Sequence, residues 1–140
     1  MIPRFRGLSI DENSKGEWKY GHLIEDRGRA FIINEVVEAN EQYITIGSWY
    51  PVNPDTIGQS TGLKDKNGKE IFEGDIITNG IDIVDVRNHE TLGFYTMVNG
   101  REVFFGHGTS IEEFEEDIEG FTEIAEILGN IYENKELLDA

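Results

Sequence analysis

Residues 61–77 read TGLKDKNGKEIFEGDII, the most strongly patterned stretch of the 140-residue chain. Asn67 and Gly68 stand between two lysines. This pair predicts a type I′ hairpin turn, because such a turn needs positive φ at both central residues and Asn-Gly tolerates that well. Leu63 before the turn and Ile71 after it are placed to pair across the hairpin. We therefore expect two antiparallel strands here.

A second turn follows in the same stretch, where Gly74 and Asp75 interrupt a run of apolar residues. Glycine adopts backbone conformations that are closed to other residues, and an aspartate side chain accepts hydrogen bonds from turn amides. The second turn is expected to lead directly into the next strand. We interpret four residues as structural turn residues rather than as part of an active site: Asn67, Gly68, Gly74 and Asp75.

Short strands are predicted on both sides of this stretch. Residues 17–24 alternate in polarity, which places Trp18, Tyr20, His22 and Ile24 on one face of a strand. The sequence WYPVNP at residues 49–54 holds two of the three prolines and is expected to be extended or looped, because proline blocks ladder pairing. Further strands, rich in β-branched and aromatic residues, are predicted near residues 2–6, 30–33, 42–46, 76–78, 81–86, 92–98 and 103–105. Residues 124–132 are either a last strand or a second helix, and Gly129 favours the strand.

One sizeable helix is predicted, at residues 110–119. Ser110 and Glu113 have the spacing of a capping box, and Ile111, Phe114 and Ile118 form one helical stripe. The number and spacing of the strands suit a barrel or a sandwich. The chain is thus predicted to be mainly β, with one short acidic helix near its C-terminus. It is expected to form a single domain, residues 1–140, with possible sub-lobes at 1–56 and 57–140.

Composition and charge restrict the possible partners. The chain has 12 basic and 28 acidic residues, a net charge of −16 and a pI of about 4.4. Nucleic acid and anionic membranes are disfavoured as direct partners, because both would repel such a surface. No apolar run approaches the ~18 residues that a membrane span needs, and the N-terminus lacks the apolar segment of a signal peptide. Fifteen aromatic residues can fill a core.

The acidic residues are concentrated in the second half of the chain. Residues 1–70 carry a net charge of −2, from 11 acids and 9 bases, whereas residues 71–140 carry −14, from 17 acids and 3 bases. Eight carboxylates lie between positions 112 and 126, with no base among them. A helical face of this kind could meet a basic partner or imitate the phosphates of DNA. The candidate partner-binding acidic face comprises Glu112, Glu113, Glu115, Glu116, Asp117 and Glu119.

No constellation of residues points to catalysis, a cofactor or a metal. The chain has no cysteine, and none of His22, His89 and His107 has a second histidine at helical metal-ligand spacing. Residues 65–70 depart from the calcium-loop pattern, because Gly68 arrives too early and two lysines intervene. We therefore expect no catalytic residue, no cofactor and no metal site. The expected partner is another protein or a second copy of the chain.

A small-ligand-binding or enzymatic β-barrel remains an alternative. Its site would have to be assembled from dispersed residues, and the most suitable lining is Trp18, Tyr20, Trp49, Tyr50 and His107. The simpler interpretation of these aromatic residues is packing in the core or between lobes. A pocket that contains a titratable pair would favour the enzymatic alternative.

Three stretches of the chain resemble the YopX family of phage and prophage proteins. They are MIPRFRG at residues 1–7, IGQSTGLKDKNGKEIFEGDII at 57–77 and ILGNIYENKELL at 127–138. The family's opening normally continues with Trp-Asp, where this chain has Leu8 and Ser9, and a proline often occupies the position of Lys135. The three stretches follow the order and spacing of the family and extend over the whole chain. The middle stretch is long enough to be specific.

The resemblance implies a mainly β protein with an SH3-like barrel portion in its C-terminal half. It implies no catalytic activity and no catalytic residue. It also implies an accessory protein that acts in the cytoplasm of a bacterial host during phage carriage or infection. Together with the missing catalytic set, this favours a non-enzymatic module that binds protein or assembles with itself. An acidic DNA mimic that inhibits a DNA-handling protein of the host is the main alternative.

Overall fold

The computed structural model describes residues 3–98, 100–105 and 124–139. Over these residues the chain is mainly β, as predicted, and contains no helix of seven or more residues. None of the described helices is long and apolar enough to cross a membrane. The predicted acidic helix at residues 110–119 lies outside the described residues.

Twelve strands and two 3₁₀ turns follow one another in the part of the chain that the structure describes. The 3₁₀ turns span Pro54–Thr56 and Lys135–Asp139. The strands are β1 (Phe5–Leu8), β2 (Trp18–Asp26), β3 (Arg29–Ala39), β4 (Ile44–Val52), β5 (Gly58–Lys64), β6 (Glu70–Phe72), β7 (Asp75–Thr78), β8 (Ile83–Asp85), β9 (Arg87–His89), β10 (Gly93–Val98), β11 (Arg101–Phe104) and β12 (Glu126–Asn130).

The chain divides into two compact units, Met1–Ser60 and Thr61–Ala140. The division falls four residues after the boundary at 56/57 that the sequence suggested, because the first residues of β5 pair with β1. In the first unit the strand order is β4-β3-β2-β1-β5, and every pairing is antiparallel. The core of this unit consists of Ala30, Ile32 and Val52, against which Phe5, Leu23 and Ile57 pack.

The first four strands close on themselves at one end. Ser9, just after β1, forms an antiparallel bridge with Val52 of β4. The amide of Ile10 donates to the Pro51 carbonyl at 3.0 Å, and the amide of Asn53 donates to the Leu8 carbonyl at 2.9 Å. These bonds lie at the end of β4, on the edge that faces away from β3. Residues 44–50 of β4 take no part in them.

Pro51 lies in β4 opposite Phe31, although proline was expected to prevent ladder pairing. The physical reason is its orientation. The Pro51 carbonyl accepts a bond from Ile10, on the side away from β3. In an antiparallel strand the nitrogen and the carbonyl of one residue face the same edge, so the missing N–H removes no bond between β3 and β4.

The second unit contains β6, which neighbours β5, and two three-stranded antiparallel sheets, β12-β7-β8 and β11-β10-β9. Its buried cluster consists of Ile71, Ile77 and Val86. Partly buried apolar side chains pack around that cluster, namely Leu63, Val84, Phe94, Phe105 and Ile127. The last predicted strand is confirmed as β12, and β8 is shorter than predicted.

Candidate protein-binding surface

One face of the β2–β3–β4 sheet points away from the core of the first unit. Leu23 and Ile32 face that core, so the residues that alternate with them face outward. His22, Ile33 and Trp49 form one cross-strand row on this side. Ile24, Phe31 and Pro51 form the next row. We name these six residues the outer face. Within it Ile33 is buried, Phe31 and Pro51 are half-buried, and His22, Ile24 and Trp49 are exposed.

The outer face exposes large apolar side chains. Trp49 is 55% exposed and Ile24 is 46% exposed. The rings of Phe31 and Trp49 meet edge to face with their centroids 5.7 Å apart. A cross-strand aromatic contact of this kind stabilises the sheet and also holds the Trp49 ring in a fixed position. The outer face is therefore an apolar surface that contains an oriented aromatic side chain.

Beyond the outer face, β3 and β4 continue as a two-stranded arm, which we define as residues 34–47. The last residue of β3 that pairs with β2 is Ile33, and from Glu35 onward β3 pairs with β4. Every residue of the arm is exposed. Three register shifts interrupt the ladder between Ile33 and Glu38. Such shifts increase the local twist of a ribbon.

The arm carries five exposed large apolar residues. Their exposed fractions run from 40% at Ile46 to 65% at Ile44. They are Val36, Val37, Tyr43, Ile44 and Ile46. An isolated two-stranded hairpin is only marginally stable in water, and apolar patches of this kind mark interaction sites in folded proteins. The arm thus adds exposed apolar residues beyond the outer face, on both sides of the hairpin.

Local hydrogen bonds define the tip of the arm. The side-chain oxygen of Asn40 accepts from the amides of Gln42 and Tyr43 at 2.8 and 3.1 Å. The Tyr43 hydroxyl donates to the Glu38 carboxylate at 2.9 Å, and Ser48 bonds to the Asn34 side chain near the base of the arm. These bonds explain how the turn keeps its shape although the arm buries none of its side chains.

The arm is acidic as well as apolar. It contains three glutamates, Glu35, Glu38 and Glu41, and no lysine or arginine. The sequence pattern missed the arm, because residues 34–41 were not predicted as strand. Two features of the sequence could have indicated the arm. There is no lysine or arginine between Arg29 and Lys64, and β-branched and aromatic residues lie on both sides of Asn40.

Cationic side chains cover several aromatic rings of the first unit. The guanidinium of Arg6 lies 4.5 Å from the centre of the Trp18 ring, and that of Arg4 lies 5.6 Å from the centre of the Tyr20 ring. Lys19 is 4.0 Å from the centre of the Tyr50 ring. Such contacts stabilise by roughly 0.5–1 kcal/mol at exposed sites.

The structure does not bring the aromatic residues proposed for a ligand pocket into one lining. Alternation along β2 places Trp18 and Tyr20 on the side of the outer face, together with Trp49. Tyr50 pairs with Ile32 and therefore lies on the opposite side. Tyr20 is 38% exposed and Trp49 is 55% exposed, so neither side chain belongs to the buried core of the first unit. His107 lies outside the described residues.

Asp65 is the centre of the turn at residues 65–69. One carboxylate oxygen accepts from the amides of Asn67 and Lys69, both at 2.9 Å. The other oxygen accepts from the amide of Ile127 in β12 at 3.0 Å. Burial raises the pKa of Asp65, but the hydrogen bonds from Ile127, Lys69 and Asn67 outweigh burial and lower it below the ordinary value. Asp65 thus joins the turn to a strand 62 positions away.

The turn itself differs from the type I′ hairpin that Asn67 and Gly68 predicted. Gly68 has a φ of +83°, whereas Asn67 is not among the residues with positive φ. The Gly68 amide donates to the Asp65 carbonyl at 3.0 Å, and the Asp65 amide donates to the Lys69 carbonyl at 2.8 Å. This geometry is that of a three-residue loop with one left-handed residue. The Asp65 side chain favours it, because its bond to the Asn67 amide forms an Asx turn.

Gly74 and Asp75 form the second turn. Gly74 has a φ of +92°, its amide donates to the Val86 carbonyl, and its carbonyl accepts from Ile131, both at 2.8 Å. The buried Asp75 carboxylate accepts from the Phe72 amide at 2.7 Å. All of these contacts are internal to the second unit.

The described histidines are not arranged for metal binding. His22 is exposed on the outer face. The Nδ1 atom of His89 accepts from the amides of Thr91 and Leu92 at 3.1 Å, and its ring contacts Tyr95 and Phe104. Within residues 3–98, 100–105 and 124–139, no group of three or more potential ligands could hold a metal ion.

The acidic face predicted from the sequence cannot be placed. Its residues lie outside the described residues: Glu112, Glu113, Glu115, Glu116, Asp117 and Glu119. Of the eight carboxylates between 112 and 126, Glu126 belongs to β12 and lies 3.3 Å from the Lys66 ammonium.

Comparisons with known proteins agree with the resemblance seen in the sequence. The chain is similar to the crystal structure of protein EF1440 from Enterococcus faecalis, with a TM-score of 0.58 and 27% identity over 99% of each chain. A search of curated proteins gave no match. The model of the family described as YopX protein matches residues 4–139. The chain therefore belongs to the YopX family.

Proposed function

We propose that this chain is a non-enzymatic accessory protein, encoded by a phage or prophage, that binds protein through the outer face and the arm. The observation that carries the proposal is the number of exposed apolar side chains on β2, β3 and β4, namely Tyr20, Ile24, Val36, Val37, Ile44, Ile46 and Trp49. Single exposed apolar residues are common in soluble proteins, whereas a contiguous set is typical of interaction surfaces. Trp49 and Tyr43 are the residue types that most often dominate binding energies.

Family membership supports the phage origin, because proteins that resemble this chain are encoded by phages and prophages. We place the protein in the cytoplasm of the bacterial host on the same ground. The second unit is proposed to be the SH3-like barrel portion. Its short antiparallel strands and the turn at Gly74 and Asp75 are compatible with such a barrel. In this proposal the second unit acts as a scaffold.

The proposal is tested by two matched isoleucine variants. Ile24→Glu changes the outer face, whereas Ile81→Glu changes an isoleucine of the second unit that is 88% exposed. Both variants add one negative charge and should fold like the parent. Tagged parent and variants are compared for the proteins they retain from cells that carry the phage. A specific partner should be retained by the parent and by Ile81→Glu and lost by Ile24→Glu.

Two outcomes contradict the proposal. One is retention of the same partner by all three proteins, which would place the binding surface elsewhere. The other is equal loss in both variants, which would show that added charge rather than the outer face controls retention. Circular dichroism and the melting temperature of each variant exclude loss of folding as the cause.

A second candidate function, DNA mimicry, is favoured by the carboxylates at residues 112–119. A mimic would bind a basic DNA-handling protein and would lose it as salt rises, because long-range attraction is screened. Changing Glu112, Glu115 and Glu116 to glutamine should then abolish capture of the basic protein, while Ile24→Glu should leave it unchanged. The apolar surface predicts the opposite pattern for these two variants.

A further inference from the structure

We propose that Asn67 is a site of spontaneous deamidation, and that the fold protects Asn79 from the same reaction. The chain contains three Asn-Gly pairs, at residues 67–68, 79–80 and 99–100. Asparagine reacts most readily before glycine, which has no side chain to shield its backbone nitrogen and whose backbone is the least restricted. Asn99 lies outside the described residues, so the comparison is between Asn67 and Asn79. Both belong to the second unit, and the modification does not depend on the outer face or the arm.

The reaction joins two atoms of adjacent residues and needs only water. Hydroxide removes the proton of the Gly68 amide, and the nitrogen attacks the side-chain carbon Cγ of Asn67. The new N–Cγ bond closes a succinimide ring, the Cγ–Nδ2 bond breaks, and the nitrogen leaves as ammonia with a proton from water. One water molecule then opens the ring at either carbonyl carbon. The products are aspartate and isoaspartate, in which the main chain runs through Cβ and Cγ of residue 67.

The Asn79 side chain is held by the turn that follows it. Its Oδ1 atom accepts from the amides of Ile81 and Asp82 at 2.9 and 2.8 Å. The Gly80 amide, whose nitrogen would be the nucleophile, donates to the Thr78 hydroxyl at 3.0 Å. Rotation of Cγ toward that nitrogen breaks the first two bonds, and loss of the amide proton removes the third. Each bond therefore lowers the fraction of molecules in which Asn79 can react.

The Asn67 side chain has no such restraint. It makes no hydrogen bond to any residue that the structure describes, because the Asp65 carboxylate accepts from the backbone amide of Asn67 and not from its side chain. The Gly68 amide donates to the Asp65 carbonyl at 3.0 Å, so only this bond must break before the reaction. Asn67 and Asn79 are both exposed, so their hydrogen bonds and not their exposure separate the two sites.

Isoaspartate at residue 67 alters the turn around Asp65. The amides of Asn67 and Lys69 meet at one Asp65 oxygen, both at 2.9 Å. Isoaspartate inserts one carbon atom into the main chain between these two amides, so they can no longer both keep their positions. The other Asp65 oxygen accepts from Ile127 of β12. The modification should therefore weaken the connection between the turn and β12 and lower the melting temperature.

The test follows deamidation in the folded full-length chain at mildly alkaline pH. Peptide mapping by mass spectrometry measures the modified fraction at each Asn-Gly pair, and enzymatic methylation of isoaspartate identifies the product. Asn67 should react about tenfold or more faster than Asn79, because two additional hydrogen bonds restrain Asn79. In concentrated urea, where both turns are unfolded, the two sites should react at similar rates.

Two variants test the role of individual atoms. Thr78→Val removes the acceptor of the Gly80 amide, so it should accelerate the reaction at Asn79 and leave the rate at Asn67 unchanged. Asn67→Asp adds the charge of the product without the additional carbon atom in the main chain. It should melt at a higher temperature than parent protein that carries isoaspartate at residue 67.

A folded chain in which Asn79 reacts as fast as Asn67, or faster, would overturn the inference. The same holds if Thr78→Val folds like the parent, judged by circular dichroism, and leaves the rate at Asn79 unchanged. A difference between the two sites that persists in urea would also overturn it, because sequence context and not the fold would then set the rates. None of these outcomes concerns the outer face, which the Ile24→Glu comparison tests separately.

Discussion

Asp65 shows how one buried carboxylate can organise a turn. It is 4% exposed, and its three backbone donors come from two parts of the chain that are far apart in sequence. Asn67 and Gly68, which stand out in the sequence, depend on this side chain for their conformation. The sequence pattern placed the turn correctly, but it could not show that Ile127 is the third donor.

Asp65→Asn should lower the free energy of unfolding by roughly 1–3 kcal/mol at neutral pH. The amide keeps one acceptor oxygen but places an NH₂ group against one of the backbone donors. Urea denaturation of parent and variant measures the difference. Lys66→Gln, at a more exposed neighbouring position, is the control and should change stability by less than about 0.5 kcal/mol.

The same residue predicts a pH dependence. The folded pKa of Asp65 lies below its ordinary value of 3.8, so the unfolded state takes up the proton first as pH falls. The stability that Asp65 contributes is present above pH 3.8 and is lost as pH falls through the lower folded pKa. The difference between parent and Asp65→Asn should therefore shrink in that acidic range. A difference that grew there would contradict the assignment.

Gly74 is a second position where one residue decides local structure. Its φ of +92° is strained for a β-branched residue. Gly74→Val should lower the free energy of unfolding by about 1–3 kcal/mol and leave the outer face intact. Thermal unfolding measures the loss. A variant that melts like the parent but loses partner binding would show that this turn is part of the binding surface.

At the scale of secondary structure, the arm combines regular pairing with complete exposure. β3 is an 11-residue strand, but only its first half contributes to the core. The sequence predicted strands at residues 30–33 and 42–46 and missed the extension between them. The reason is that residues 34–39 are exposed on both faces, so no alternation of polarity marks them as strand.

Hydrogen exchange should separate the two halves of this hairpin. Amides at residues 34–47 should exchange much faster than the amides of Ala30 and Ile32, because local opening of the arm exposes no core residue. Mass spectrometry of peptic fragments measures the two exchange rates. Equal protection of arm and core would show that the arm is held by contacts other than its own ladder.

At the scale of the whole molecule, most of the net negative charge and the exposed apolar residues of the candidate binding surface lie in different halves of the sequence. The stretches that carry the family resemblance lie mostly outside the acidic run. The first unit presents an apolar surface, whereas most of the negative charge belongs to residues 71–140. Two different kinds of binding are therefore available to one small protein.

Changing Glu112, Glu115 and Glu116 to glutamine moves the net charge from −16 to −13. We expect stability to stay unchanged or to rise slightly, because like charges repel within this run. Melting temperatures at low and high salt measure the effect, and any gain should shrink at high salt. A large loss of stability would show that these carboxylates are paired or cap a helix.

Structural elements that depend only on residues close together in the sequence could be predicted from it. The mainly β character, most strands and both turns around residues 65–75 follow from local preferences for turns and strands. The outer face and the arm became visible only in the folded chain. Exposure depends on which strands pair with each other, and pairing partners such as Ser9 with Val52 or Asp65 with Ile127 are far apart in sequence. Local pattern carries no information about such contacts, so the candidate binding surface was decided by tertiary structure.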